Sequence, residues 1–210
     1  MKKIDYSKLK AVPESEDFAG KYEDESKIAE LLVNNYFKSV SKLLSKIENV
    51  ISAHEIGVGE GRSTMRLSKM VNNLTGSEFV KDLIPYAKKN NPNLKIFNES
   101  VYELKYENES VDLVFLLEVL EHLDYPELAL DEIKRISKEY LILGVPREPL
   151  WRVLNMCRFK YTKDFGNTPG HLNHWSRKSI VKLIERKYGE VIAIESPVPW
   201  TIVLAKKYTN

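Results

Sequence analysis

The stretch that most constrains this chain is His54-Glu55-Ile56-Gly57-Val58-Gly59-Glu60-Gly61-Arg62-Ser63-Thr64, which reads as the end of a buried strand turning sharply into a helix. Asn49-Val50-Ile51-Ser52-Ala53 before it is β-capable, and Leu67, Met70 and Val71 after it recur at helical spacing. Three alternate glycines separate the two. Glycine tolerates positive φ and carries no Cβ, so a ligand can approach the backbone closely, and the helix start behind it offers free N–H groups. The turn suits a nucleotide-like ligand, although a tight strand-to-helix connection alone can look the same.

The spacing narrows the ligand. A dinucleotide turn of the form G-x-G-x-x-G would need a third glycine where this chain has Arg62. The glycines fall instead at 57, 59 and 61, with Glu55 two residues ahead, giving E-x-G-x-G-x-G. Nineteen residues past Gly59, the short strand Leu74-Thr75-Gly76-Ser77-Glu78-Phe79 ends in a second carboxylate. That offset is close to the one at which an acid at the tip of a second strand holds ribose hydroxyls. On these residues the chain resembles the class I S-adenosylmethionine-dependent methyltransferases. The resemblance implies that Glu55 and the Gly57 to Gly61 backbone face the methionine part of the cofactor and Glu78 the ribose, with Phe79 lining the same site.

The remaining strands extend the likeness. Leu94-Lys95-Ile96-Phe97 is a third strand, followed by Asn98-Glu99-Ser100-Val101. The family usually has Asp where this chain has Ser100, so the resemblance implies an adenine contact from Ser100 and Val101 that departs from the pattern. A serine hydroxyl still accepts a hydrogen bond from an amine. Val111 to Leu117 is a near-continuous apolar run, as expected of a central parallel strand covered on both faces. It leads into Glu118-Val119-Leu120-Glu121-His122-Leu123, similar to the family's fourth-strand signature, where Leu116 and Leu117 are implied to meet the cofactor through backbone. His122 is read as a structural hydrogen-bonding residue, with a catalytic role as the lesser alternative. Tyr140 to Val145 is a fifth strand, stopped by Pro146 at its carboxyl end, where open α/β sheets place ligands. Arg147 and Glu148 follow there and could anchor a charged acceptor or pair with each other. Strands at 190–195 and 200–205 close the series. The implied fold is a Rossmann-like, doubly wound seven-stranded sheet, mostly parallel with one antiparallel edge strand and helices on both faces.

Helices are expected from Glu25 to Ile47 by the stripe Ile28, Leu31, Leu32, Tyr36, Val40, Leu43, Leu44 and Ile47, around Leu83 to Ala87 with Pro85 in the first turn, from Pro126, and from an N-cap at Ser176 to Tyr188. Residues 1–21 are polar and without period and are expected to form a loose arm; 22–48 is the N-terminal helix region. Tyr22 is either a packed aromatic or a lid over the cofactor.

At 210 residues and 43% hydrophobic, the chain suits one α/β domain spanning 1–210. The 32 basic and 30 acidic residues are mixed along it, so no nucleic-acid partner is favoured. A single cysteine, Cys157, expected to be packed, excludes an internal disulfide and fits a reducing, cytoplasmic setting. No signal peptide or membrane span is recognised, and oligomeric state is left open.

The long connection 150–175 is too aromatic to be disordered. It carries Trp151, Phe159, Tyr161, Phe165 and Trp175 among Arg152, Arg158, Lys160 and Lys163. We expect it to form the acceptor side of the site, with a short basic amphipathic helix over Leu150 to Lys160 and a loop, 166–175, aimed at the transferred methyl. A satellite core, a membrane-surface helix and single-stranded nucleic-acid contact remain as other readings. His171 and His174 are the catalytic candidates, because histidine titrates near neutral pH. No metal ligands are assigned. The expected activity is methyl transfer from S-adenosylmethionine to a small-molecule acceptor; a nicotinamide-dependent oxidoreductase and a non-catalytic binding subunit are the alternatives.

Overall fold

The apolar run from Val111 to Leu117 forms strand β4 in the middle of a seven-stranded sheet, and its side chains divide between two cores. Successive strand side chains point to opposite faces. Leu113, Phe115 and Leu117 meet helix α1 (Lys27–Leu44) through Tyr36, Phe37, Val40 and Leu43. Val114 and Leu116 meet α4 (Pro126–Ile136) and α6 (Arg177–Lys187) through Leu130, Ile133, Ile180 and Ile184. Burial on both faces explains why this strand shows no polar alternation. The computed structural model describes residues 4–6, 9–11 and 27–208.

The other strands are β1 (Ala53–Ile56), β2 (Leu74–Glu78), β3 (Lys95–Asn98), β5 (Ser137–Pro146), β6 (Gly189–Glu195) and β7 (Trp200–Lys207), in the order β3-β2-β1-β4-β5-β7-β6. Strands β1 to β5 pair in parallel, and β7 runs antiparallel to both β5 and β6. The expected mostly parallel sheet with helices on both faces is therefore present. Its antiparallel member is β7, which enters between β5 and β6 and leaves β6 outermost. Strand order reverses between β1 and β4, so their carboxyl ends diverge around a crevice, the place where such sheets take ligands.

Local chemistry sets the helix ends. In α3 (Ile84–Asn90) Pro85 occupies the first turn, where its missing N–H costs nothing. In α6 the Ser176 hydroxyl accepts from the Ser179 amide at 3.1 Å and the Ser179 hydroxyl accepts from the Ser176 amide at 2.9 Å, a reciprocal cap. Helix α1 ends at Leu44, before the last residue of the expected stripe, Ile47, and its expected start at Glu25 lies outside the described residues. Ile28 and Leu31 are 70% and 59% exposed. Tyr22 and most of the expected arm lie outside the described residues.

Two expectations about the 150–175 connection are revised. Helix α5 (Leu150–Cys157) forms, but Cys157 is exposed rather than packed. Phe159 and Phe165 are also exposed, at 88% and 74%, so they join no satellite core. Only Trp151 and Trp175 of the segment's large aromatics turn inward, toward β7 and the α4–α6 core.

Candidate functional site

The glycine turn joins β1 to α2 (Arg62–Leu67), and Gly57, Gly59 and Gly61 all have left-handed φ, at 76°, 55° and 82°. Two of the three also lack room for a side chain. A Cβ on Gly57 would stand 2.4 Å from Val119, and one on Gly61 would stand 2.4 Å from the Asn91 amide. Gly59 differs, because nothing lies within 4 Å of where its Cβ would be. Its left-handed backbone faces open space at the crevice, as an approaching ligand requires. The Gly57 and Val58 amides donate to Ser77 O at 2.8 and 3.1 Å, fastening the turn to the tip of β2.

Glu78 stands at that tip. One carboxylate oxygen accepts from the Gly59 amide at 2.7 Å and the other from the Val80 amide at 2.8 Å. Burial raises its pKa, and the Val80, Gly59 and Phe79 amides offset part of the rise. With about four lone-pair sites and three amides on them, the carboxylate keeps acceptor capacity for a ligand hydroxyl. Glu55 lies beneath the turn, 1% exposed, with its pKa raised to about 7 by burial against the opposing Ser63 and Thr64 hydroxyls; the charge of Glu78 adds to the rise.

The other expected cofactor residues line the same carboxyl edge. Phe79 is 41% exposed just beyond β2, and the ring of Tyr6 stacks on it at 6.1 Å and 16°. Ser100 closes a short turn in which its hydroxyl accepts from the Tyr102 amide at 3.3 Å. It borders a cleft of about 330 Å³ together with Tyr6, Asn98 and Glu99, while Val101 beside it is buried. Leu116 and Leu117 end β4 and are buried. The Lys10 and Ala11 amides donate to the Asp124 carboxylate at 2.7 and 2.9 Å. Described residues of the N-terminal arm thus touch both β2 and the segment after β4, on either side of the crevice.

Beyond β4 and β5 the chain gathers aromatics from five separate elements. Tyr36 of α1 meets Trp200 of β7 at 5.1 Å, Trp200 meets Trp151 of α5 at 5.9 Å, Trp151 meets His171 at 5.9 Å, and His171 meets His122 at 4.9 Å. The Tyr36 hydroxyl presses on Gly144 of β5, where a Cβ would stand 2.0 Å away. That hydroxyl is buried with no hydrogen-bond partner among the described residues, and burial, then the charges of Glu118, Glu121 and Glu55, raise its pKa. The Trp200 indole donates to Glu118 at 2.7 Å. Glu148, at the end of β5, has its carboxyl pKa raised by burial against the Arg152 amide and the charges of His174 and Arg152.

The two loop histidines are not brought together. His171 is buried beside His122 and Trp151, whereas His174 is exposed and meets Asn167 at 2.7 Å on the outer side of the loop, with Arg152 and Phe165 nearby. Between the two histidines the Glu121 carbonyl takes the Leu172 and Asn173 amides at 2.8 and 3.0 Å and holds the loop backbone. His122 does make the expected structural bond, from Nδ1 to Gly170 O at 3.1 Å. A nitrogen of His122, a Glu121 oxygen and a nitrogen of His171 all lie within 4.8 Å of one another. Sequence reasoning missed this grouping, and also missed Asn91, Tyr36 and Trp200. Only the E-H pair at 121–122 was visible as a local signal.

Residues 54–142 match the family model described as a methyltransferase domain. Among curated proteins, none matches the chain. An S-adenosylmethionine-dependent methyltransferase from Thermotoga maritima, described as a possible histamine N-methyltransferase, is 19% identical over 91% of this chain and 96% of its own, with a TM-score of 0.67. Magnesium protoporphyrin IX methyltransferase from Synechocystis PCC 6803, solved with bound S-adenosylhomocysteine, is 16% identical over 85% of this chain and 84% of its own, with a TM-score of 0.66. The [4+2]-cyclase SpnF is 13% identical over 82% and 81%, with a TM-score of 0.61. The fold is that of the class I S-adenosylmethionine-dependent methyltransferases, and the likeness drawn from the glycine turn and the fourth strand holds.

Proposed function

We propose that this protein is an S-adenosylmethionine-dependent methyltransferase acting on a small-molecule acceptor. The observation that carries the reading is the pairing of Glu78 with the Gly59 amide beside open space, which makes a carboxylate-flanked backbone cradle at the strand-order reversal. Bound there, the cofactor would supply an electrophilic methyl on a sulfonium. Glu55 and the Gly57 to Gly61 backbone hold the methionine part, Glu78 the ribose hydroxyls, and Phe79, Ser100 and Val101 border the adenine. Leu116 and Leu117 present backbone. The chain's remaining task is alignment, because a thioether leaves without needing a proton and positioning does most of the work. Tyr36, Trp151, Trp200 and His171 form the acceptor side, walling off water and offering an imidazole. Among the described residues no helix is long and apolar enough to cross a membrane; we place the protein in the cytoplasm on its lone cysteine.

Calorimetric titration tests the proposal, with S-adenosylmethionine, S-adenosylhomocysteine and a nicotinamide dinucleotide as ligands and Glu78→Ala as the site variant. Saturable binding of the first two, lost in the variant, is expected. Binding of the dinucleotide alone, or of no ligand by a folded protein, overturns it.

A further inference from the structure

We infer that Glu121, His122 and His171 form a divalent transition-metal site on the acceptor side of the crevice, and that the acceptor binds the ion through a hydroxyl oxygen. The three offer one carboxylate oxygen and two imidazole nitrogens, all within 4.8 Å of one another. Ligand atoms about 2.1 Å from a common ion stand roughly 3 to 4 Å apart. Side-chain rotations of about 1 Å therefore close the set around an ion. Nε2 of His122 already stands 4.0 Å from the Glu121 carboxylate.

The surroundings are those of a built site. Nδ1 of His122 is held by Gly170 O at 3.1 Å, which fixes the tautomer with a lone pair on Nε2, toward Glu121. Metal-bound histidines are characteristically oriented by such a bond from their other nitrogen. The loop bearing His171 is clamped to the Glu121 peptide by the Leu172 and Asn173 amides, and the Asn173 side chain donates to Leu123 O at 2.7 Å. The ligands' backbones are therefore locked together, although His171 comes from a distant part of the chain. Glu121 is 1% exposed and His171 7%, so the donor atoms are shielded from bulk water. Nearby, the Tyr36 hydroxyl is 5% exposed, has no hydrogen-bond partner among the described residues, and lies within electrostatic reach of Glu118 and Glu121.

Two imidazoles and one carboxylate suit zinc, manganese, iron or cobalt better than magnesium or calcium, which prefer all-oxygen shells. Three protein ligands leave coordination positions open, as in catalytic rather than structural sites. An acceptor hydroxyl in an open position is acidified by the ion and gives its proton to water. The oxygen lone pair then forms the C–O bond while the C–S bond breaks with its electrons passing to sulfur. This role for the ion rests on the methyltransferase reading, but metal binding itself does not.

The test is titration of metal-free protein with Co(II) and Zn(II), followed by calorimetry and, for cobalt, by visible absorption. It is run without S-adenosylmethionine, in a Cys157→Ser background that removes the exposed thiol. Saturable binding of one ion per chain is expected, weakened at least tenfold by His171→Ala and by Glu121→Gln, and unchanged by His174→Ala. Circular dichroism and thermal unfolding verify that each variant is folded. Absence of saturable binding below about 100 μM, or binding indifferent to His171 and Glu121, overturns the site and leaves a hydrogen-bonded His-Glu-His cluster. Metal binding without cofactor binding would instead sink the methyltransferase reading and spare the site.

Discussion

The Glu78 carboxylate accepts a hydrogen bond from the Gly59 amide at 2.7 Å, tying the tip of the second strand to the middle of the glycine turn. One residue thus organises the turn and presents itself to a ligand. Glu78→Gln keeps the shape but loses the charge-assisted bonds to Gly59 and Val80. We expect cofactor affinity to fall at least tenfold, measured by calorimetry, with the chain still folded. An unchanged affinity would show that Glu78 only braces the turn.

Glu55 predicts a pH dependence of binding. Its folded pKa is raised to about 7 from 4.5, so in the free protein its contribution to stability is full below pH 4.5 and is lost as pH rises through about 7. A cationic methionine ammonium nearby favours the ionised form, so binding releases a proton below pH 7. Affinity for S-adenosylmethionine is expected to increase from pH 6 to pH 8, and Glu55→Gln to flatten the profile. A flat profile in the unmutated protein would place Glu55 out of the cofactor's reach.

His54 governs acid stability. It is fully buried in β1, between the hydroxyls of Thr75 and Tyr106 on one nitrogen and Ser77 on the other, and burial lowers its pKa from 6.5 to about 3. The folded chain keeps it neutral while the unfolded chain protonates it below pH 6.5, so stability falls as pH drops from 6.5 toward 3. The full effect is on the order of 5 kcal/mol, at about 1.4 kcal/mol per pKa unit. Urea unfolding of His54→Asn should show lower stability at pH 7.5 and a shallower loss on acidification. An equal slope in both proteins would remove His54 as the cause.

Gly144 and Tyr36 form a steric pair. A Cβ at position 144 would stand 2.0 Å from the Tyr36 hydroxyl, and Phe37 and Trp200 pack against the ring. Gly144→Ala should cost roughly 1 to 3 kcal/mol through overpacking. Tyr36→Phe removes a buried hydroxyl that has no partner among the described residues, so alone it should be neutral or stabilising, and it should recover part of the Gly144→Ala loss. Thermal unfolding of the two single variants and the double variant measures the coupling, and strict additivity would contradict it.

Trp151 tests the proposed division of the site into a cofactor side and an acceptor side. It touches His171 and Trp200 and donates to Thr168 at 2.9 Å, away from the glycine turn. Trp151→Ala is expected to leave cofactor affinity within twofold and to reduce methyl transfer at least tenfold once an acceptor is found. Loss of cofactor binding in that variant would show the acceptor wall also builds the cofactor side.

Features encoded locally were legible in advance. The apolar run 111–117 announced a central strand, Ser176 a helix start and Pro85 a first turn, because each depends on residues within a few positions of one another. The helix ending at Leu44 stops before the stripe's last residue, Ile47, since a periodic stripe records which residues could be buried but not where the chain leaves the helix. His171 and His174 could not be told apart from the sequence. Three positions separate them in one loop, and the Glu121 carbonyl holds the loop backbone between them.

The sequence by itself determined the strand–glycine turn–helix unit, the acid nineteen residues beyond Gly59, and the alternation of strands and helices that makes a doubly wound sheet. These are properties of backbone conformation and hydrophobic period, which short stretches specify. Only the tertiary structure decided that Tyr36, Trp200, Trp151, His171 and His122 form one aromatic run, and that Glu121 joins two histidines forty-nine positions apart. Such groupings arise when separate elements pack at the same end of the sheet, and no local pattern records which side chains that packing will bring face to face.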